Sequence, residues 1–163
     1  MPITRLSKIA MCLAVGLFCV VVAYDNVVDY ATNYAFVQHV LSMDTLPQSG
    51  VLKGRSITSP VLWQLAYAAI IAAEAATGAL FLAGAAALWR ARQAPADEFN
   101  YAKRWAIAGG TLAFLLWFFG FMVVGGEWFE MWQSATWNGQ EAAFRFYVSV
   151  LGVLIFINQP DTD

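Results

Sequence analysis

The sequence is short of charged residues. Asp, Glu, Lys and Arg make up 12% of its 163 residues, while 60% of the residues are hydrophobic. A soluble domain carries about twice that share of charge, so this composition excludes a soluble globular protein and predicts an integral membrane protein. The chain also lacks a run of basic residues, and its formal net charge is -2. We therefore expect no nucleic-acid partner.

Residues that bind metals and cofactors are equally scarce. The two cysteines, Cys12 and Cys19, fall about 10 Å apart on one predicted helix, which is too far for a disulfide. His39 is the only histidine, and its i, i+4 spacing to Met43 is the one hint of haem or copper ligation. A single histidine cannot supply both ligands of a b-type haem, and the sequence has no phosphate-binding loop, zinc spacing or nucleophile elbow. We predict no metal, no cofactor and no enzymatic activity.

Four apolar stretches are each long enough to cross a bilayer. They span residues 6–28, 60–90, 100–124 and 138–158. Arg5 and Lys8 precede an apolar run over residues 9–23, so a signal peptide cleaved near Ala23 is an alternative; the apolar run continues past this point, which favours a membrane span. Ser59 followed by Pro60 is typical of a helix start. The short connections between the stretches predict one integral membrane domain over residues 1–163.

The longest connection, residues 29–59, contains a further helical pattern. Its apolar residues Phe36, Val37, Val40 and Leu41 recur opposite the polar residues Asn33, Gln38 and Ser42. This pattern predicts a short interfacial helix. The fold class is therefore all-α: a four-transmembrane-helix bundle with a short interfacial helix in the first outer loop.

The distribution of basic residues predicts the orientation in the membrane. Six of the nine lie at one side: Arg5, Lys8, Arg90, Arg92, Lys103 and Arg104. The other side has Lys53, Arg55 and Arg145. Both termini are expected in the cytoplasm.

Charged residues inside the apolar stretches are the first candidates for function. Glu74 lies well inside the second stretch, and a carboxylate at that depth is costly unless it is paired or serves a function. Arg145 lies about 10 Å below the start of the fourth stretch and needs an acceptor. Glu74 and Asp25 are the predicted partners of Arg145 in an intramembrane charge network. The simpler alternatives are a neutral Glu74 that hydrogen-bonds another helix, and local pairing of Arg145 with Glu141.

A second candidate is an outer interaction surface rich in aromatic residues. Its predicted members are Glu127, Trp128, Glu130, Trp132, Trp137 and His39. Tryptophan is enriched at membrane interfaces and also in the hot spots of protein interfaces. An aromatic belt that anchors the bundle and a docking surface therefore both remain open.

Several stretches carry a resemblance to a known family. They are Leu6-Ser7-Lys8 and residues 33–44 (NYAFVQHVLSMD), 55–60 (RSITSP) and 120–129 (GFMVVGGEWF). In these stretches the chain resembles a bacterial family of predicted small integral membrane proteins that is catalogued as a domain of unknown function. The resemblance extends over nearly the whole length and implies a four-helix inner-membrane protein. It implies no activity, substrate or catalytic residue.

Two functions are compatible with these features. The first is a non-catalytic accessory or scaffold subunit, whose partners are the lipid bilayer and either another membrane protein or a second copy of the chain. It would bind through the small residues of the second helix and through the outer aromatic surface. The second is a small oligomeric transporter or proton-coupled carrier that uses Glu74 and Arg145.

Overall fold

The computed structural model describes residues 3–47 and 50–162. These residues form six α-helices, a π-helical segment and two short 3-10 helices (Val51–Arg55 and Met131–Gln133), with no strand among them. The helices are α1 (Ile3–Val28), α2 (Tyr30–Ser42), α3 (Pro60–Arg90), α4 (Ala96–Ala102), α5 (Arg104–Phe114) and α6 (Gln140–Asn158). The π-helical segment, Leu115–Trp128, continues α5. Residues 1–2, 48–49 and 163, which the predicted domain includes, lie outside the described part.

Four stretches are long and apolar enough to cross a membrane: Ile3–Val28, Pro60–Arg90, Ala96–Trp128 and Gln140–Asn158. The predicted all-α bundle with four candidate spans is therefore confirmed. The third stretch differs from the single α-helix expected over residues 100–124, because it includes α4, α5 and the π-helical segment. A helix also occupies the first connection, as α2, while its position at a membrane interface stays a prediction.

Close packing between helices depends on small residues. A Cβ atom at Gly78 of α3 would lie 2.8 Å from Val20 Cγ2 on α1, and one at Gly84 would lie 2.9 Å from the backbone nitrogen of Ala106 on α5. Only a residue without a side chain fits at such distances, so the glycines let α1 and α5 approach the backbone of α3. These small residues of α3 pack within the chain itself.

The two ends of the bundle differ in construction. At the end where α1 begins and α6 finishes, which we call the terminal end, Lys8 pairs with Asp161. At the opposite end, the loop end, the two long connections pack on each other. Within the first connection, Ile57 N donates to Leu41 O at 2.7 Å; between the two connections, the hydroxyls of Thr45 and Ser134 lie 2.9 Å apart. A small apolar core of Val40, Met43, Leu46, Phe129 and Met131 lies beneath these contacts.

Candidate functional site

Glu74 belongs to a polar cluster between α1, α2 and α3. Glu74 is 3% exposed, and its Oε2 accepts a hydrogen bond of 2.7 Å from Asn26 Nδ2 on α1. Asn26 Oδ1 in turn accepts one of 2.6 Å from Asn33 Nδ2 on α2. Tyr67 OH donates to the backbone oxygen of Asn26 at 2.9 Å. Asn26 thus connects the carboxyl group of Glu74 on α3 to both α1 and α2.

This cluster extends from the protein interior to the surface. Glu74, Asn26 and Tyr67 are buried, whereas Asn33 is exposed. The hydrogen bonds therefore form a polar path from the surface to Glu74. Among the described residues, the carboxyl uses only Oε2 in a hydrogen bond, so Oε1 remains available to another donor.

A cavity of about 260 Å³ lies beside the cluster. It is lined by the four polar residues and by aromatic side chains from three other parts of the chain. These aromatic residues are Phe36 of α2, Trp117 and Phe121 of the π-helical segment, and Phe146 of α6. A carboxyl group and several rings therefore face one space, the composition expected of a small-molecule site.

A second cavity of about 260 Å³ adjoins the first. The two share Phe36, Val37, Ile70 and Phe121 in their walls. Every described residue that lines the second cavity is apolar or glycine, including Leu116, Val124 and Met131. We call the first space the acidic cavity and the second the apolar cavity. Both are lined by the π-helical segment, a geometry that is rare in proteins and frequent at functional sites.

Arg145 does not join the Glu74 cluster. Its Nη2 pairs with Glu141 Oε1 one helical turn earlier, and the two side chains are 71% and 81% exposed. Asp25 is exposed at the end of α1. The predicted pairing of Arg145 with Glu74 or Asp25 is therefore wrong. An i, i+4 partner on the same helix satisfies the guanidinium without bringing it into the bundle.

The structure divides the predicted outer surface between several places. His39 stacks on Trp137 with ring centroids 4.6 Å apart, and its Nδ1 lies 2.9 Å from Asp44. Trp128 instead lies under the Arg55 guanidinium, at 4.4 Å from the ring centroid. Trp132 is 54% exposed, as is Trp128.

The two acidic members of that predicted surface lie on either side of the end of the π-helical segment. Glu127 is exposed, and Glu130 is partly buried in a left-handed backbone conformation with φ 51°. Whether these residues bind a partner stays a prediction.

A second buried polar cluster lies at the terminal end, and the sequence reasoning treated its basic members only as flanking charges. Lys8 and Lys103 lie 2.5 and 2.6 Å from Asp161 Oδ2, and both also donate to the backbone oxygen of Gln159. Arg5 Nη1 donates to the backbone oxygen of Ala94 at 2.7 Å. Arg5, Lys8 and Lys103 are each at most 5% exposed.

Asp161 is the carboxylate of this terminal cluster. Burial alone would raise its pKa, but hydrogen bonds and charge from Lys103 and Lys8 outweigh burial and lower the pKa below its ordinary value. The spacing of these residues along the chain gave no signal of the cluster, because Lys8 and Asp161 are 153 residues apart.

Comparison with known families gives one result. A family described as "Predicted small integral membrane protein (DUF2165)" matches residues 4–160. Comparison with curated proteins and with solved structures gives no match.

Proposed function

The chain belongs to the family of predicted small integral membrane proteins (DUF2165), and from this premise we propose that it is a membrane-embedded, non-catalytic protein that binds a small solute at Glu74. One observation carries the proposal: Glu74, a residue that is 3% exposed, has one carboxyl oxygen without a hydrogen bond among the described residues, and it lines a cavity of about 260 Å³. A carboxyl group in a membrane-spanning helix is costly, and helices that needed it only for packing would bond both oxygens.

The polar path supports this proposal. Asn33 is exposed and hydrogen-bonds Asn26, which hydrogen-bonds Glu74. A solute entering from the loop end would exchange hydrogen bonds with amides before it meets the carboxyl. Stepwise exchange of this kind lowers the cost of removing a polar group from water. A carrier using Glu74 would need the same binding step, without Arg145.

The test uses small molecules that co-purify with the protein. The wild type, Glu74→Gln and Glu141→Gln are purified from native membranes in mild detergent, and the bound small molecules are extracted and quantified by mass spectrometry. We expect a solute enriched with the wild type and depleted about tenfold with Glu74→Gln, the effect of losing one charge-assisted hydrogen bond. Glu141→Gln is the matched control because it changes the same side chain where it is 81% exposed. Equal enrichment in all three proteins, or none in any, would contradict the proposal.

A second candidate function is an accessory subunit of a membrane complex. The observation that favours it is the 54% exposure of both Trp128 and Trp132, since tryptophan is enriched in binding hot spots. The double variant Trp128→Ala with Trp132→Ala should then release a co-purifying membrane protein, while Glu74→Gln should retain it. A partner that stays bound to the double variant would argue against this role.

The proposal also assigns the two ends of the bundle to sides of the membrane. We propose that the terminal end is cytoplasmic, because six of the nine basic residues flank it. Cysteines introduced at Glu98 and Val51, both exposed, can be labelled with an impermeant reagent. Background labelling should be low because Cys12 and Cys19 have no exposed surface. The external reagent should label Val51→Cys alone; labelling of Glu98→Cys instead would reverse the orientation.

A further inference from the structure

We propose that the solute at Glu74 is an amphiphilic amine, with its ammonium group at the carboxylate and its apolar body in the apolar cavity. This inference rests on the proposed function and adds the chemical class of the ligand. Three independent features of the two cavities support it: their charge, their aromatic walls and their arrangement.

The first feature is an uncompensated acidic group. Within residues 3–47 and 50–162, no lysine, arginine or histidine lines either cavity. The carboxyl of Glu74 receives one hydrogen bond, from the neutral amide of Asn26. A buried carboxylate requires a counter-charge. A protonated amine supplies that charge, and its N–H groups can donate to Oε1.

The second feature is the set of rings around the acidic cavity. Trp117 and Phe146 have ring centroids 5.3 Å apart, and Phe36 and Phe121 are stacked with centroids 6.2 Å apart. Tyr67 completes the lining near the carboxyl. Aromatic faces attract ammonium groups, and the attraction increases where water is excluded. Both the aromatic faces and the carboxylate of Glu74 would repel an anionic ligand.

The third feature is the position of the apolar cavity. It shares four wall residues with the acidic cavity, and the described part of its lining offers no polar side chain. A ligand with its ammonium group at Glu74 could therefore extend an aliphatic or aromatic body past Phe36 and Phe121. Two adjoining spaces of about 260 Å³ favour an amphiphile over a small, fully polar cation.

Three probes of equal chain length test the ligand class. The protein in detergent is dialysed to equilibrium against hexylamine at neutral pH, hexanol or hexanoate, and bound probe is measured after subtraction of protein-free micelles. We expect hexylammonium to bind the wild type at least about tenfold more tightly than the other two probes, and about tenfold more tightly than it binds Glu74→Gln. Glu141→Gln should bind like the wild type.

A second variant keeps the test decisive if Glu74→Gln fails to fold. Ala142 lines the acidic cavity and is exposed, so Ala142→Leu should narrow the cavity without burying a new polar group. We expect this variant to elute as the wild type does on gel filtration and to lose hexylammonium binding. Unchanged binding in Ala142→Leu would overturn the assignment of the site.

The remaining outcomes separate the ligand class from the proposed function. Hexanol binding as tightly as hexylammonium would overturn the amine assignment in favour of a neutral amphiphile, and tighter binding of hexanoate would overturn it in favour of an acid. If hexylammonium fails to bind while a native solute still depends on Glu74, the amine class is wrong and the proposed function stands. If both fail, the proposed function falls as well.

Discussion

The two buried polar clusters lie at opposite ends of α1 and satisfy charge in opposite ways. At the terminal end, Lys8 and Lys103 both contact Asp161, so the chain supplies charges of both signs. At the loop end, Glu74 has only the Asn26 amide and an adjoining cavity. Burial of charge alone therefore does not identify a binding site in this protein. The distinguishing property is a missing counter-charge beside an open space.

The comparison predicts opposite responses when each carboxylate is replaced by its amide. Asp161→Asn removes the anion that Lys8 and Lys103 share, and should lower the free energy of unfolding by about 3 kcal/mol. Glu74→Gln keeps an oxygen that accepts from Asn26 and removes an unpaired acid, so its effect should stay within about 1 kcal/mol. Denaturation of both variants in the same detergent measures the difference. A larger loss of unfolding free energy in Glu74→Gln than in Asp161→Asn would contradict this difference between the two clusters.

Replacing glycine with alanine should have opposite effects on stability at a tightly packed position and at an open one. Gly84→Ala places a methyl group 2.9 Å from the backbone nitrogen of Ala106, which cannot move independently of α5. We expect a loss of about 2 kcal/mol from overpacking. Gly152 of α6 has nothing within 4 Å of the same position, so Gly152→Ala should gain up to about 1 kcal/mol from helix propensity. Similar unfolding midpoints for the two variants would show that helix contact at Gly84 is looser than the structure indicates.

A pH series sharpens the account of the terminal cluster. The folded state lowers the pKa of Asp161, so the carboxylate contributes stability above its ordinary pKa of 3.8, and this contribution is lost as the pH falls through the lowered folded-state value. At moderately acid pH the loss should be smaller than that caused by Asp161→Asn, because pairing with Lys8 and Lys103 lowers the pKa of Asp161 and so keeps the carboxylate ionised. Unfolding of the wild type and Asp161→Asn is followed from neutral to acid pH. Their difference in stability should stay constant near neutrality and shrink at acid pH; a difference independent of pH throughout would contradict this role.

The sequence was sufficient for the architecture. Apolar length alone predicts spans, and the Ser59-Pro60 pair predicts the start of α3. The small residues of the second stretch also indicated close helix packing, although they contact α1 and α5 of the same chain. These features are local in sequence, and local patterns suffice to predict them.

The site was only partly predictable. Glu74 attracted attention because a carboxylate interrupts an apolar helix, but its partner Asn26 lies 48 residues away on α1. Asn33 was predicted only as part of the polar face of the short helix. Asn26 gave no signal, since asparagine near a predicted helix end usually caps the helix or faces solvent. Depth estimated from helix rise placed Arg145 near Glu74 but gave no direction around the helix axis. The predicted ion pair is wrong because the side chain of Arg145 lies on the exposed side of α6, whereas Glu74 is buried.

Infrared difference spectroscopy tests most directly whether the carboxyl group of Glu74 contacts the ligand. Spectra of the protein are recorded with and without saturating hexylamine at neutral pH, for the wild type and for Glu74→Gln. The account predicts a change in the carboxyl or carboxylate bands of the wild type that is absent from Glu74→Gln. Saturation of the wild type with no change in these bands, or the same change in Glu74→Gln, would contradict it.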